Sequence, residues 1–153
     1  MRIDAVPYGH PDAAKLITEV QQEYVVRYGG EDETPVDPAE FALPRGLFLV
    51  GYRDEEPVAC GGWRSHGGDA EIKRMYVIRG ARRGGLARKL LAELERTARM
   101  AGHRRVILET GSMQPEAVAL YRSAGYRPVP PFGHYADTPG SIHFGKIIAP
   151  GSN

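Results

Sequence analysis

Apolar side chains recur every three or four residues in three stretches of the chain, a spacing that predicts amphipathic helices. The first stretch follows Asp12, a residue type that caps helix N-termini, and ends at the glycine pair 29–30. The second opens at Gly85, has leucine at every fourth position, and stops at Gly102. The third spans residues 116–124. We therefore expect three helices, of which the second is long and strongly amphipathic.

Six shorter segments carry alternating or continuous apolar residues, which is typical of β-strands. They occupy residues 3–6, 47–52, 58–64, 70–78, 106–108 and 141–148. The charged residues 53–56 join the second and third segments, which predicts an antiparallel hairpin. The acidic residues 31–40 indicate a loop with a short helix near Asp37-Pro38, and a proline-broken extended segment begins at Tyr126. The order of these segments predicts an α/β protein with a mixed sheet.

The length of 153 residues, with 42% hydrophobic and 25% charged residues, is that of one globular domain. We expect a single domain over residues 1–149, followed by a C-terminal tail at 150–153. The net charge of +1 excludes general attraction to nucleic acid or to a membrane surface. The N-terminus lacks the apolar run of a leader, and no stretch reaches the roughly 20 apolar residues that span a bilayer. We therefore expect a cytoplasmic protein.

Cysteine and histidine usage limits the chemistry further. Cys60 is the only cysteine, so neither an internal disulfide nor a cysteine-rich zinc site can form. The small and apolar neighbours of Cys60 favour a buried side chain over a nucleophile. The five histidines show no spacing typical of metal ligands, and we predict no metal.

Positive charge is concentrated in residues 71–89, where seven basic residues stand against one acid. The local charge is +6 and the rest of the chain sums to −5, so we expect an anion site in this window. Here a strand leads through a loop into the second helix, whose first turn has unpaired N–H groups and the positive end of the helix dipole. Gly84 and Gly85 let the backbone approach an oxygen closely. A phosphate-bearing ligand suits this loop, although a tight turn beside solvated arginines stays open as the alternative.

This loop and a later segment of the chain resemble two sequence motifs of a known family. Arg82-x-x-Gly85-x-Ala87 resembles the Arg/Gln-x-x-Gly-x-Gly/Ala motif of the GNAT superfamily of N-acetyltransferases, with alanine in place of the commoner last glycine. Residues 114–126 (QPEAVALYRSAGY) resemble that family's Asn-x-x-Ala-x-x-Leu-Tyr-x-x-x-Gly-Phe segment. The resemblance implies a single-domain GNAT-type fold, with a mixed, mostly antiparallel central sheet flanked by helices. It also implies an enzyme that moves an acetyl group from acetyl-coenzyme A (acetyl-CoA) to an amine.

The same resemblance implies the contacts with acetyl-CoA. The backbone of the central strand would pair with the pantetheine amides like an added strand, at Met75, Tyr76 and Val77. The backbone of the following loop would hold the pyrophosphate, at Arg82, Arg83, Gly84, Gly85, Leu86 and Ala87. Gln114 stands where the family frequently has asparagine and is a further candidate contact.

Acetyl transfer to an amine needs a neutral amine, a stabilised oxyanion and a proton for the departing thiolate, but no covalent nucleophile. Backbone N–H groups near Val77 would serve the oxyanion if a bulge splays the sheet there. Tyr121 stands at the family's thiolate-facing position and is the candidate acid; the alternative is a tyrosine packed by its ring. Glu71 and Glu109 are the candidates for the base, and each would otherwise be a strand-end charge. The two are not ranked.

The acceptor end would be shaped by residues 31–40 and 130–141. The first segment is acidic, which suits either a cationic amine or a solvated loop. The second offers aromatic side chains that line a pocket or pack the strand crossing, namely Phe132, His134 and Tyr135, and Trp63 is a further wall or a core residue. We expect the acceptor to be a primary amine of a small molecule or peptide, and the protein to be a monomer or homodimer. The alternative is a catalytically silent acyl-CoA sensor.

Overall fold

Seven strands form one sheet in the computed structural model, which describes residues 1–82 and 84–149. The strands are β1 (Arg2–Ala5), β2 (Gly46–Arg53), β3 (Glu56–His66), β4 (Asp69–Val77), β5 (Arg105–Gly111), β6 (Arg127–Pro128) and β7 (Ser141–Ile147). Their order across the sheet is β1-β2-β3-β4-β5-β7-β6. Within the described ranges β4 and β5 run parallel, whereas the other neighbouring strands are antiparallel. The mixed, mostly antiparallel sheet predicted from the sequence is confirmed.

Three α-helices flank the sheet: α1 (Pro11–Tyr28), α2 (Leu86–Met100) and α3 (Pro115–Ser123). The predicted cap of α1 was wrong by two residues, because the side chain of His10 caps the helix by accepting from the backbone N–H of Asp12. The short helix expected near Asp37-Pro38 is a 3-10 helix, Pro38–Phe41, whose Asp37 cap forms a reciprocal capping box with Glu40.

The two faces of the sheet bury separate groups of apolar side chains. Leucines of α2 and the Tyr121 side chain of α3 pack on one face, and Ala13 and Leu16 of α1 pack on the other. Trp63 belongs to the first group: it is fully buried and its indole N–H donates to Thr97 Oγ1 at 3.0 Å. Cys60 is also fully buried, as predicted. Of the alternatives left open for Trp63, the structure supports the core residue.

Strand β4 departs from regular pairing in its middle. Cys60 of β3 pairs with Tyr76 and Gly62 pairs with Lys73, so two residues of β4 lie opposite one residue of β3. This arrangement is a β-bulge. The bulge contains Arg74, whose φ of 61° lies in the left-handed region that non-glycine residues rarely adopt.

Beyond its first residues, β4 also separates from β5. The two strands pair at Ala70 with Val106 and at Glu71 with Ile107, and the described residues show no pairing after that point. Because β5 continues to pair with β7 along its whole length, the sheet opens as a wedge between β4 and β5. The edge of β4 that faces β5 therefore has no strand partner after Glu71.

Candidate active site

The wedge between β4 and β5 contains a cavity of about 410 Å³, which we call the cleft cavity. Its walls come from both strands, the C-terminal half of α1, residues 30–33, the start of α3 and residues 135–141. Ionisable side chains that line it include Lys73, Arg74, Glu109, Asp32 and Tyr121. The wedge thus brings together residues from six parts of the chain.

A second cavity, of about 470 Å³, lies where β4 leads into α2, and we call it the loop cavity. It is lined by residues of β4, the loop, α1 and α3, including Tyr76, Val77, Arg82, Gly85, Leu86, Ala87 and Arg88. The two cavities share four lining residues, Met75, Gln114, Ala117 and Tyr121. They therefore adjoin at the bulge of β4 and the first turns of α3.

The loop that opens α2 has the features of a phosphate site. Gly85 is the N-cap of α2 and has φ of 75°, and open space surrounds the position where a side chain would begin. No acidic residue occupies the first turn of α2. The N-terminal N–H groups of this 15-residue helix therefore border a loop cavity without a competing carboxylate on the same turn. An anionic group such as a pyrophosphate fits these residues.

Most of the predicted cofactor residues line this region. Met75, Tyr76, Val77 and Gln114 border the loop cavity, together with Arg82 and residues 85–87. Gly84 is not among the described lining residues; a side chain at Gly84 would begin 3.5 Å from Nη2 of Arg53. Arg83 lies outside the described residues, as do residues 150–153 of the predicted tail.

The basic residues of the window 71–89, where the sequence predicts an anion site, do not all line the loop cavity. Lys73 and Arg74 are buried and form ion pairs with Asp32 on the cleft side. Arg82 donates to Glu23 of α1 at 3.0 Å and to the carbonyl of Val77 at 2.9 Å. The excess charge is therefore divided between the two cavities and is partly neutralised by acids from α1 and residues 31–33.

Tyr121 lies at the junction of the two cavities. Its side chain is 5% exposed and contacts the rings of Tyr126 and Phe144 at centroid distances of 5.6 and 6.4 Å. Burial raises the pKa of the Tyr121 phenol above its ordinary value. The phenol therefore stays protonated at neutral pH and can act as a proton donor.

Glu109 lies on β5 and lines the cleft cavity. Its Oε1 accepts from the ammonium of Lys73 at 3.2 Å. Burial raises the pKa of Glu109 above its ordinary value, and the positive charge of Lys73 only partly offsets this effect. A carboxylate with a raised pKa in a cavity has the properties of a general base.

Glu71 has a different environment. Its carboxylate is 3% exposed and accepts from Nε of Arg64 at 3.0 Å, while His66 lies 3.7 Å away. Arg64 in turn contacts Glu40 at 3.1 Å and the carbonyl of Pro35 at 2.8 Å. Glu71 lines neither of the two cavities. The structure thus separates the two carboxylates that the sequence left unranked.

Asp32 is the residue of this site that the sequence analysis missed. Its carboxylate contacts Lys73 at 3.0 Å and Arg74, and it accepts from the backbone N–H of Thr34 and the phenol of Tyr135 at 2.9 and 3.0 Å. Burial alone would raise the pKa of Asp32, but the two cations outweigh burial and hold that pKa below its usual range. The acidic segment and the Lys73-Arg74 pair are both visible in the sequence, but their contact is not.

The acidic segment 31–40 is therefore only partly solvated. Asp32 is paired as described, Asp37 caps the 3-10 helix and Glu40 contacts Arg64.

The aromatic residues of the segment 130–141 divide between the lining of the cleft cavity and packing contacts. Tyr135 lines the cleft cavity, whereas Phe132 packs between the rings of His66 and His143, with centroid distances of 5.7 and 5.0 Å. His134 packs edge-on against Tyr135 at 4.7 Å.

The C-terminal half of α1 contributes Tyr24 and Tyr28 to the lining of the cleft cavity. The phenol of Tyr28 donates to Gln114 Oε1 at 3.1 Å, and Arg27 donates to the carbonyl of Met113 at 2.7 Å. Tyr28 also lies against the backbone of Gly111, where an added side chain would begin 2.0 Å from the phenol oxygen. Helix α1 is thereby joined to the loop between β5 and α3.

Neither a metal site nor a membrane-spanning helix is found in the part of the chain that the structure describes. No group of three or more histidine, cysteine, aspartate or glutamate residues there is placed to hold a metal ion. Among the helices in the same residues, none has the length and apolar character needed to cross a bilayer.

Comparison with known proteins gives a consistent family. Residues 16–126 match the model of the "Acetyltransferase (GNAT) family". A protein named IAA acetyltransferase from Azospirillum brasilense is 37% identical over 136 residues, which cover 88% of this chain and 89% of that protein.

Solved structures show the same relationship at the level of the fold. A candidate acyl-CoA N-acyltransferase from Klebsiella pneumoniae subsp. pneumoniae superposes with a TM-score of 0.80 at 28% identity and covers 97% of both chains. An aminoglycoside 6'-N-acetyltransferase, solved with coenzyme A, superposes with a TM-score of 0.75 at 15% identity over the full length of both chains. The wedge in the sheet, the loop that opens α2 and these matches lead to one conclusion: the chain belongs to the acetyltransferase (GNAT) family.

Proposed function

We propose that this protein transfers the acetyl group of acetyl-CoA to a primary amine of a small molecule or peptide, by direct attack of the amine. The observation that carries the proposal is the junction of the two cavities at Tyr121, in the gap between β4 and β5. One cavity has the helix start and cations that suit a pyrophosphate, and the other has a carboxylate suited to accept a proton.

The donor would be bound by the loop cavity and the free edge of β4. Backbone N–H groups of the first turn of α2, with Gly85 at its start, would hold the pyrophosphate. The edge of β4 that faces β5, at Met75, Tyr76 and Val77, would hold the pantetheine arm as an added strand does, with the Val77 carbonyl already accepting from Arg82. When bound, acetyl-CoA supplies a thioester, whose acyl carbon is open to attack by an amine.

The protein's own residues would then manage the protons and the charge. Glu109 would accept the proton of the acceptor ammonium, directly or through a water, because it is the cavity-lining carboxylate with a raised pKa. Backbone N–H groups of β4 near the bulge, between Arg74 and Val77, would stabilise the oxyanion. The phenol of Tyr121 would give its proton to the departing thiolate and recover one from the nitrogen as the intermediate collapses to the amide, which leaves the proton on Glu109 to be released to water. Burial keeps that phenol protonated.

The acceptor would enter on the cleft side, between α1 and residues 135–141. The charged residues that line this cavity are four acids and two bases, and Glu31 and Glu33 stand exposed at its edge. A net negative lining favours an acceptor that carries positive charge. This is the cationic option that the sequence left open.

The test measures thiol release by the purified protein with acetyl-CoA and a panel of primary amines. The panel contains diamines, an aminoglycoside, amino acids, and peptides with a free N-terminus or a lysine. Turnover with at least one amine, in a sequential rather than a ping-pong pattern, is the expected result. A ping-pong pattern would contradict direct attack.

A catalytically silent acyl-CoA sensor is the second candidate, since the loop cavity alone could serve binding. It predicts binding of acetyl-CoA by calorimetry without thiol release on any amine. Absence of binding would contradict both functions.

A further inference from the structure

The ammonium of Lys73 has a complete set of partners inside the protein. It lies 3.0 Å from Asp32 Oδ2, 3.2 Å from Glu109 Oε1 and 3.3 Å from Thr34 Oγ1. The ammonium donates hydrogen bonds to Thr34 and Glu109 and forms an ion pair with Asp32. The side chain is 5% exposed. Lys73 is therefore occupied by the protein and is not placed to hold an acceptor itself.

Asp32, one of the three partners of Lys73, is fixed by several other contacts. Asp32 contacts Arg74 and accepts from the backbone N–H of Thr34 and from the phenol of Tyr135, so both of its oxygens are held. The carbonyl and N–H of Asp32 also bond the side-chain amide of Gln21 on α1, at 3.3 and 2.7 Å. The position of Lys73 is thus set by residues from α1, the loop after it and the segment before β7.

Glu109 has fewer constraints than Asp32. Its Oε1 contacts Lys73, and no bond to its Oε2 is found within the described residues. The titratable or charged groups that face Glu109 are Lys73 and Glu71 on β4, Asp32 in the loop after α1, and His143, its register partner on β7. Lys73 is the one of these that the structure places in direct contact with Glu109, and its charge favours the carboxylate form.

We propose that Lys73 is a positioning residue for acetyl transfer, which holds Glu109 through Oε1 and ties it, through Asp32, to the segment that walls the acceptor side of the cleft cavity. The inference rests on the proposed function, in which Glu109 is the base. It adds that this base is aligned by an internal cation, and that the alignment depends on residues 32–34 being docked.

The decisive experiment is a ¹³C-carboxyl NMR titration of Glu109, assigned by comparison with Glu109→Gln, in the wild-type protein and in Lys73→Gln. Loss of the ammonium removes the contact that favours the carboxylate, so the midpoint should move to higher pH by about 1 unit or more. Lys15→Gln removes an exposed lysine of α1 and is the matched control, with an unchanged midpoint. An unchanged Glu109 midpoint in Lys73→Gln would overturn the proposal.

This measurement needs no acceptor, so it separates the two proposals. If no amine is acetylated, the proposed function fails, and the titration still decides whether Lys73 controls Glu109. Where an amine is acetylated, the acidic limb of kcat/KM in Lys73→Gln should move in the same direction as the titration.

Lys73→Arg keeps the charge and tests position separately from charge. Its longer planar head cannot reproduce the three-oxygen contact of an ammonium. The Glu109 midpoint should stay near the wild-type value, while kcat falls about tenfold or more and KM for acetyl-CoA is unchanged. A wild-type kcat in Lys73→Arg would mean that only the charge of Lys73 matters, and it would contradict a role in aligning Glu109.

Discussion

The guanidinium of Arg82 and the carboxylate of Glu23 form an ion pair at 3.0 Å that joins the loop before α2 to the middle of α1. Arg82 is the first residue of the family's phosphate-loop motif, and Glu23 borders the same loop cavity. A carboxylate thus lies beside the place proposed for a pyrophosphate. The Glu23 carboxylate pairs with the Arg82 guanidinium and would repel the phosphate groups of the ligand.

Glu23→Gln should therefore tighten the binding of acetyl-CoA. The expected gain is about fivefold, or roughly 1 kcal/mol, because the pair is only partly buried. Arg82→Ala should weaken binding in the same calorimetric measurement, and both effects should shrink at high salt. Glu56→Gln, an exposed acid of the hairpin, is the charge-matched control. Weaker binding by Glu23→Gln would mean that Glu23 orients Arg82 instead of competing with the ligand.

The start of α2, which follows the proposed phosphate loop, could be predicted because its sequence signals are local. The leucine spacing of α2 and the glycine at its N-cap fix a helix start within two residues of the observed one. The left-handed backbone at Arg74 has no such signal, because arginine gives no local reason for a positive φ. The oxyanion role considered for N–H groups near Val77 was conditional on a bulge there, and the structure has a bulge at residues 74–75.

The cleft side was less predictable because it depends on contacts between distant parts of the chain. Asp32 and Lys73 are separated by 40 intervening residues, and nothing in either local pattern pairs them. The same holds for Glu71 and Glu109. Both are strand carboxylates with apolar neighbours, and only the divergence of β4 from β5 leaves one at a cavity and the other in an internal ion pair.

Tyr121→Phe should lower the maximal rate far more than the affinity for acetyl-CoA. The ring remains in the apolar cluster, while the proton donor is lost, and general acid catalysis typically contributes about 10²–10⁴-fold. Tyr126→Phe is the matched control. The ring of Tyr126 packs on Tyr121, whereas the phenol of Tyr126 donates to Glu95 at 2.8 Å. Steady-state kcat and KM for both variants provide the measurement. A raised KM with an unchanged kcat would assign Tyr121 to binding.

Glu109→Gln and Glu71→Gln should affect different properties. A base must be unprotonated to act, so wild-type kcat/KM should fall as pH drops through the raised pKa of Glu109. Glu109→Gln should lower kcat/KM about 100-fold and remove this acidic limb. Glu71→Gln should lower the free energy of unfolding by about 2 kcal/mol, because it weakens a buried charged hydrogen bond with Arg64.

The pH profile of kcat/KM and urea unfolding of both variants distinguish these roles. Should Glu71→Gln remove the acidic limb and Glu109→Gln retain it, the assignment of the base would be reversed.

Substitutions of Gly111 and Tyr28 test how the end of α1 packs against β5 beside the cleft cavity. A methyl group at residue 111 would begin 2.0 Å from the Tyr28 phenol oxygen, so Gly111→Ala must displace Tyr28 and break its bond to Gln114. Because the Tyr28 side chain is 44% exposed and can swing away, the cost is mainly that of the lost hydrogen bond, about 1 kcal/mol. Tyr28→Ala removes the obstructing ring, and in that background Gly111→Ala should cost little. Unfolding free energies of the two single variants and the double variant form a thermodynamic cycle, and additive costs would show that the two residues do not compete for space.

Tyr28→Ala should also affect function, because Tyr28 lines the cleft cavity where α1 meets the loop between β5 and α3. Removing the ring enlarges the space available to an acceptor without touching Glu109 or Tyr121. Tyr28→Ala should therefore raise kcat/KM for bulky amines relative to small ones, and competition between one amine of each kind measures the ratio. An unchanged ratio would place the acceptor elsewhere in the cavity, away from the end of α1.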